Sequence, residues 1–384
     1  MMPTRLQTKA VSQFSCLGAD CPDTCCQGWG MQVTQETVAQ YKQQAPELLN
    51  AIVSDDGAHL MRRDMATDMC VKFDAGLCGI HRDYGDAFLG DACYFFPRIT
   101  RAIGTTVLTT AALSCPETAR LMLYGEDALA WTAHMADRAP YILKNYLPHG
   151  LKEEDALAIH AAFLDMVADA SVTAEQGVLR VSTVARALEH QSTTLWREAV
   201  PMYAAMADSR IPQAEAVASD MFNLVQALYG LVMASPSPRA RLIRRLDAMA
   251  QMLGISFHAN NEMHLADDAM NRGVTTLARM RAQNADLQPV LKRYLQAQLS
   301  QAMFPFAGLG NHLSERITII GVRFATMKLA LATLEEHPTA KDVIEVIQVL
   351  SRFLDHLADP TLMLSIYHET GWAREPRLRA ILCE

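Results

Sequence analysis

Residues 14–29 read Phe14-Ser-Cys16-Leu-Gly-Ala-Asp-Cys21-Pro-Asp-Thr-Cys25-Cys26-Gln-Gly28-Trp29. Four cysteines fall within this short stretch, spaced C-x4-C-x3-C-C. The residues between them include aspartate, proline and glycine, which favour tight reversals of the backbone. We therefore expect a loop built of turns, in which several sulfur atoms converge, rather than a regular helix or strand.

The other cysteines extend this pattern through the first third of the chain. They are Cys70, Cys78, Cys93 and Cys115, and the next cysteine is Cys383. A chain of 384 residues is long for one compact core. We therefore predict two parts: a cysteine-cluster, metal-binding region over residues 1–125 and an α-helical domain over residues 126–384.

Composition and charge narrow the class of protein. Half of the residues are hydrophobic, one fifth are charged, and the formal net charge is −8. A negative surface argues against nucleic acid or an anionic membrane as a partner. The first residues contain no apolar core of signal-peptide length, and no apolar run approaches the roughly 20 residues of a membrane span. These features predict a cytoplasmic protein, and in a reducing compartment clustered cysteines indicate metal ligands rather than disulfides.

Local patterns assign secondary structure to the N-terminal region. β-branched residues alternate on both sides of Gly104, which predicts a small β-hairpin over residues 98–110. Ser114 and Glu117 have the spacing of a capping box, so we expect a helix that begins there, with Cys115 at its N-terminus favoured as a thiolate. The remaining assignments are an irregular lead-in over 1–12, a helix over 35–50 that Pro46 interrupts, a loop over 53–68, a turn between Cys70 and Cys78, and a short helix over 81–88.

The rest of the chain is rich in alanine, leucine, methionine and arginine at helical spacing. Residues 343–354, for example, place apolar side chains three and four positions apart, as on one face of a helix. The predicted helices cover about 126–137, 152–170, 178–208 (as one helix or broken into two), 212–233, 237–252, 264–283, 287–302, 315–335, 339–357 and 374–382. The predicted fold class is therefore mainly α, with a cysteine-rich region and a small β-hairpin at the N-terminus.

Thiolates are soft donors that suit zinc or iron–sulfur clusters, and four complete one site. The candidate ligands are Cys16, Cys21, Cys25, Cys26, Cys70, Cys78, Cys93 and Cys115. Three questions stay open: whether the metal is zinc or iron, whether there is one site or two, and which four cysteines bind at each site. No C-x2-C knuckle of a zinc ribbon occurs, and Gly28 stands where a C-x3-C-x2-C radical site would have its third cysteine.

Other residues near the cysteines allow two interpretations. His81 is an additional ligand or, as we prefer, a helix histidine. Trp29 stacks on a substrate or covers the metal core, and we favour the cover. The acids and phenols of this region are general bases for an attacking amine or residues of a surface helix: Asp83, Tyr84, Asp86, Asp91 and Tyr94. No nucleotide-binding glycine motif, P-loop or serine elbow is present.

The ordered cysteines and their neighbours resemble the flagellin lysine-N-methylase family, which is related to a wider group of zinc- or iron-chelating proteins. The matching residues are Phe14-Ser-Cys16, Cys21, Cys25-Cys26-x-Gly28-Trp29, Cys70, Cys78, Cys93-x3-Pro97-Arg98-Ile99 and Leu113-Ser-Cys115-Pro-Glu117-x-Ala-Arg120. Two small departures are Val71-Lys72, where a proline-containing turn is common, and Tyr94, where arginine is common.

The resemblance implies methyl transfer from S-adenosylmethionine to lysine ε-amino groups of flagellin. It also implies an iron–sulfur cluster, expected as 4Fe-4S, held by the eight cysteines named above. The alternative is a non-catalytic zinc- or iron-binding protein whose cysteines staple the fold for interaction with a partner. A thiol redox protein is a further alternative, which the lack of C-x2-C disfavours.

Overall fold

The computed structural model describes residues 4–55, 57–134, 138, 143–207, 218–234, 240–258, 262–357 and 360–382. Helices dominate, which confirms the mainly α class. The strands are β1 (Arg5–Thr8), β2 (Gln32–Val33), β3 (Ile52–Asp55), β4 (Ala58–Met61), β5 (Phe73–Asp74), β6 (Leu77–Cys78), β7 (Arg98–Ile103), β8 (Thr106–Ala111), β9 (Trp131–Ala133), β10 (Ile255–Phe257) and β11 (Met263–Leu265). The N-terminal region therefore contains more strand than the single predicted hairpin.

The helices lie mostly in the second part of the chain. They are α1 (Lys9–Ser12), α2 (Gln35–Gln44), α3 (Gly79–Tyr84), α4 (Asp91–Phe95), α5 (Pro116–Tyr124), α6 (Glu153–Ala168), α7 (Ala174–Leu188), α8 (Trp196–Met206), α9 (Ala218–Met233), α10 (Ala240–Leu253), α11 (Ala269–Gln301), α12 (Leu313–Leu331), α13 (Ala340–Leu354), α14 (Pro360–Glu369) and α15 (Glu375–Leu382). None of those in the described ranges combines the length and apolar character that crossing a membrane requires.

A four-stranded sheet in the order β7-β8-β1-β9 joins the N-terminus to the rest of the chain. Strands β7 and β8 form the predicted antiparallel hairpin. Strand β1 pairs in parallel with β8, and β9 pairs antiparallel with β1. The irregular lead-in predicted over 1–12 is therefore wrong from residue 5 onward, and the helix predicted over 126–137 is wrong at 131–133. Both errors concern short strands whose conformation depends on partners more than a hundred residues away.

A smaller core lies beside this sheet. Strands β2, β4 and β3 form a three-stranded sheet that packs with α2 around Tyr41 and Leu48. The loop predicted over 53–68 is wrong in its first half, because β3 and β4 form a hairpin there. Gly57 lies in the turn at φ 82°, a left-handed conformation that glycine adopts without strain. The turn between Cys70 and Cys78 is confirmed as the β5–β6 pair.

The start of α5 differs from the predicted capping box. Cys115, not Ser114, is the N-cap residue, and Pro116 is the first helical residue. The Ser114 hydroxyl instead forms a 3.0 Å hydrogen bond with His356, on the segment after α13. Glu117 pairs with Arg120 at 2.6 Å on the same helix. The Ser114 side chain therefore makes a tertiary contact with His356 instead of capping the N-terminus of α5.

The helical body has one large core in which α6, α7, α11 and α12 pack together. The helices predicted over 264–283 and 287–302 form one continuous helix, α11, which begins at Ala269 and includes Pro289; residues 264 and 265 belong instead to β11. Burial of Leu287 and Leu291 holds the chain helical through this segment. Helix α14 was not predicted, and residues 135–137, 208, 212–217 and 237–239 of four predicted helices lie outside the described residues. The boundary after residue 125 stays a prediction.

A buried ion pair connects three helices of the body. The Lys328 ammonium on α12 lies 2.8 Å from a Glu175 carboxylate oxygen on α7 and 3.1 Å from the Leu382 carbonyl on α15. The side chains of Lys328 and Glu175 are 1% and 3% exposed. A buried charge is tolerated only when it is paired, so each residue depends on the other.

We expect Glu175→Gln to lower the free energy of unfolding by about 3–5 kcal/mol, because it leaves the Lys328 ammonium buried without its counter-charge. Urea denaturation followed by circular dichroism measures this change. The matched control is Asp268→Asn, which breaks the exposed pair with Arg272 at 2.9 Å. That control should change stability by less than about 0.5 kcal/mol. Equal effects of the two variants would contradict the role given to the buried pair.

Burial of a histidine makes stability depend on pH. His160 is 3% exposed, and its Nδ1 donates to the Phe304 carbonyl at 2.8 Å. Burial lowers the pKa of His160 below its ordinary value. Below a pH of about 6.5 the unfolded chain therefore binds a proton that the folded chain does not, and stability falls as the pH falls.

We expect His160→Gln, whose amide can still donate to Phe304, to flatten this acid-side loss of stability. The slope should decrease by up to about 1.4 kcal/mol per pH unit below the unfolded pKa. Urea titrations at several pH values between roughly 5 and 8 measure it. The control is His337→Gln, at a side chain that is 87% exposed. A slope that the His160 substitution leaves unchanged would show that this histidine does not carry the pH dependence.

Candidate functional site

Residues 14–29, the cysteine loop, have the irregular path that the sequence predicts. The only helical turn in it is a short 3-10 turn at Gly18–Asp20, and Gly18 and Gly28 have positive φ angles of 58° and 83°. The loop is anchored to the following segment, because the Cys70 N–H donates to the Cys26 carbonyl at 2.7 Å. This bond brings the first cysteines beside Cys70.

Five thiols form the inner group: Cys25, Cys26, Cys70, Cys78 and Cys93. The Cys26 side chain is hydrogen-bonded with those of Cys25 and Cys78, which lowers the pKa of both partners and raises that of Cys26. Cys78 is the N-cap of α3, and the N–H groups of the first turn lower its pKa further. Burial, and then the charge of Cys78, raise the pKa of Cys93. Cys25, Cys26 and Cys78 are therefore close enough for the protonation of one thiol to affect that of the other two.

Three further thiols form the outer group: Cys16, Cys21 and Cys115. Burial raises the pKa of Cys21, and the charges of Cys16 and Cys25 raise it further. Burial also raises the pKa of Cys115 to about 11, although helix N–H groups oppose this effect. The thiolate that we expected at the start of α5 is therefore not favoured, because burial outweighs the helix terminus.

The eight cysteines predicted as metal ligands can be compared with what a metal site requires. All eight cysteines are free thiols. Their chemistry fits a soft metal, since the inner group combines several sulfur donors in one place. Within the described ranges, however, no three histidine, cysteine or acidic side chains form a group already arranged to hold a metal ion. Ligation by Cys16, Cys21, Cys25, Cys26, Cys70, Cys78, Cys93 and Cys115 thus stays a prediction.

Arg352 on α13 fixes the cysteine loop to the helical body. Its guanidinium lies 2.9 Å from the Asp23 carboxylate. It also donates to the carbonyls of Asp23 at 3.0 Å, Thr24 at 2.6 Å and Gln27 at 2.9 Å. The Arg352 and Asp23 side chains are only 4% and 9% exposed. We call this set of contacts the arginine clamp; it holds a loop that has almost no secondary structure of its own.

Trp29 closes the loop on the side of the clamp. Its indole N–H donates to the Cys25 carbonyl at 2.5 Å. The ring lies edge-on to Phe96 and His356, and the Arg352 guanidinium stacks over it at 4.7 Å. The role of Trp29 as a cover over a metal core stays a prediction. The indole shields the Cys25 backbone and extends the clamp by a cation–π contact.

Sequence reasoning missed the contributions of α10 and α13. Gln348 donates to the Asp23 carboxylate at 2.7 Å and to the Ser114 carbonyl at 2.9 Å. Arg241 on α10 donates to the Pro22 carbonyl at 3.2 Å. Gln348 and Arg352 are four residues apart within the apolar stripe of α13, and both are buried. Two polar side chains four residues apart on the core-facing side of a helix were the sequence signal that α13 binds another polar segment.

Four of the five acids and phenols close to the cysteines in sequence interact with other side chains, and the fifth, Asp86, is exposed. Asp83 accepts from Arg82 at 2.7 Å. Tyr84 donates to Glu47, and Asp91 pairs with Arg138, whose guanidinium also stacks over the Tyr94 ring. His81 is exposed, and both its backbone N–H and the charge of its ring lower the pKa of the Cys78 thiol. A general-base role for any of these residues stays a prediction.

The fold and the site define a cysteine-cluster protein, in which a helical body holds a turn-rich loop of thiols. The chain is 27% identical to the flagellar biosynthetic protein FliU of Salmonella muenchen over 146 residues, which are 35% of this chain and 86% of that protein. It is 28% identical to the lysine-N-methylases of Salmonella typhimurium and Salmonella choleraesuis over 130 residues. That match spans 31% of this chain and only 32% of each methylase. No family model and no solved structure matches. These comparisons support a distant relationship to the methylases.

We expect Arg352→Met to lower the free energy of unfolding by about 3–5 kcal/mol and to loosen the cysteine loop, because it leaves the Asp23 carboxylate buried and unpaired. Hydrogen exchange at residues 23–27 should accelerate, as should alkylation of Cys25 and Cys26 measured by mass spectrometry. The control is Arg82→Met, on a side chain that is 41% exposed. Unchanged exchange and alkylation in Arg352→Met would show that the loop holds its conformation without the clamp.

Proposed function

We propose that this chain is a protein-lysine N-methyltransferase that acts on flagellin in the cytoplasm, with S-adenosylmethionine as methyl donor and an iron–sulfur cluster held by its N-terminal cysteines. The observation that carries the proposal is the gathering of free thiols beside the arginine clamp. The similarity to proteins named lysine-N-methylase and to a flagellar biosynthetic protein supports the substrate class.

The inner thiols are the first candidates to hold the cluster, since several of them lie close together. Ligands of a cluster must be thiolates, and the pKa values of Cys25 and Cys78 are already lowered by hydrogen bonds from Cys26. The outer group of Cys16, Cys21 and Cys115 supplies further ligands or a second site. When bound, an iron–sulfur cluster supplies a redox-active centre, whereas zinc in the same ligands supplies a redox-silent staple.

The transfer itself requires a neutral lysine. The lone pair of the lysine nitrogen attacks the methyl carbon of the sulfonium donor, the carbon–sulfur bond breaks, and its electron pair stays on the sulfur as a thioether. The proton of the lysine ammonium must leave to a base, because the ammonium has no lone pair. The net charge of −8 favours approach of a lysine-bearing segment of the substrate.

We expect the purified protein, prepared without oxygen, to contain iron and acid-labile sulfide and to show visible charge-transfer absorbance. Flagellin from a strain that lacks the protein should lose its lysine methylation, measured by intact mass and peptide mapping. Complementation with the wild-type chain should restore it. Complementation with Cys25→Ser or Cys78→Ser should not, because each substitution removes a thiolate from the inner group.

Cys383→Ser is the matched control, since it removes a cysteine that lies far from the cluster in sequence. It should retain both iron and methylation. Stoichiometric zinc without iron would instead favour the structural metal-binding alternative. Flagellin methylation that persists in the deletion strain would overturn the assignment of this chain as the flagellin methylase.

A further inference from the structure

A cavity of about 350 Å³ lies on the outer side of α4, within the size range of small-molecule sites. Its walls come from β2 and the start of α2, from the β3–β4 turn, from α4 and from β7. The lining residues are Gln32, Val33, Thr34, Gln35, Gly57, Ala58, His59, Asp91, Ala92, Phe95, Arg98 and Thr100. None of the eight cysteines is among these lining residues.

Arg98 gives the cavity a cation with no counter-ion among the residues that the structure describes. It is half-buried at the start of β7, its guanidinium stacks over the Phe14 ring at 5.3 Å, and it donates to the Tyr94 carbonyl at 3.4 Å. Across the described ranges, no carboxylate lies within ion-pairing distance of Arg98. A half-buried guanidinium gains most from a carboxylate or phosphate, which it can bind with two hydrogen bonds.

The rest of the lining favours a small organic ligand over inorganic phosphate. Val33, Ala92 and Phe95 provide apolar and aromatic surface. Asp91, paired with Arg138, adds a carboxylate to the same wall. One cation, one carboxylate and an apolar surface together suit a ligand that carries an α-amino-acid zwitterion attached to a less polar group.

Helix α4 places this cavity next to the inner thiols. Asp91, Ala92 and Phe95 line the cavity, whereas the Cys93 thiol, on the same helix, lies close enough to those of Cys25, Cys70 and Cys78 to respond to their charge. Phe14, which stacks with Arg98, is the first residue of the cysteine loop. A ligand in the cavity therefore lies one helix away from the inner group.

We propose that this cavity binds S-adenosylmethionine, with the Arg98 guanidinium on the α-carboxylate of its methionine part and Val33 and Phe95 against its less polar part. This inference rests on the proposed methyltransferase function, which requires a methyl donor with a sulfonium group. It assigns the donor to residues outside the eight cysteines. It also makes Arg98 the residue that recognises the carboxylate.

Equilibrium binding of S-adenosylmethionine to the purified full chain tests the assignment, by calorimetry or dialysis of the labelled compound. Arg98→Met should weaken binding by roughly tenfold or more, because it removes a charge-assisted contact. Binding of decarboxylated S-adenosylmethionine, which lacks the carboxylate, should be the same for wild type and Arg98→Met. The control is Arg62→Met, an exposed arginine of the same region outside the lining, which should bind as wild type.

Ala58→Trp provides a second variant that does not depend on Arg98, since the larger side chain fills the cavity and should abolish binding. Circular dichroism melts verify that each variant is folded. If the wild type binds the donor and both cavity variants bind equally well, the cavity assignment is wrong and the proposed function stands. If the wild type binds no S-adenosylmethionine, the cavity assignment and the proposed donor are both wrong, and flagellin methylation in the deletion strain decides the remainder of the function.

Discussion

The cysteine loop depends on one buried cation. A guanidinium removed from water must find compensating charge and hydrogen-bond acceptors, or its burial costs several kcal/mol. Arg352 finds them in the Asp23 carboxylate and in carbonyls of the loop, and stacks on Trp29. The requirement is mutual: the loop has few internal backbone hydrogen bonds, so its carbonyls need donors from elsewhere. The helical body thereby determines the conformation of a segment more than three hundred residues earlier in the chain.

The thiols impose a second constraint. Several of them lie in one place, so ionisation of one makes ionisation of its neighbours harder, as the raised pKa values of Cys70 and Cys93 reflect after the effect of burial. Hydrogen bonds from Cys26 favour the thiolates of Cys25 and Cys78. A bound metal cation offsets repulsion of this kind, which is the physical basis of the proposal that the inner group binds a metal.

The cavity and the thiol groups share one structural element. Helix α4 is only five residues long, yet Asp91 and Phe95 line the cavity while Cys93 belongs to the inner group. Phe14 and Arg98 connect the first residue of the cysteine loop to the first residue of β7. The residues through which the sequence resembles the methylases therefore extend beyond the predicted ligands: Trp29 belongs to the clamp, and Arg98 lines the cavity.

The sequence by itself determined the features that depend on local chemistry. Turn-forming residues between the cysteines predicted an irregular loop, alternation around Gly104 predicted the β7–β8 hairpin, and apolar periodicity predicted most helices of the body. Tertiary structure decided what depends on distant partners. Strand β1 exists because β8 and β9 pair with it, Ser114 turns from the start of α5 to His356, and Cys115 loses its thiolate preference through burial. The clamp shows the same limit, because no local pattern indicates that Arg352 will meet Asp23; only the packing of α13 against the loop brings them together.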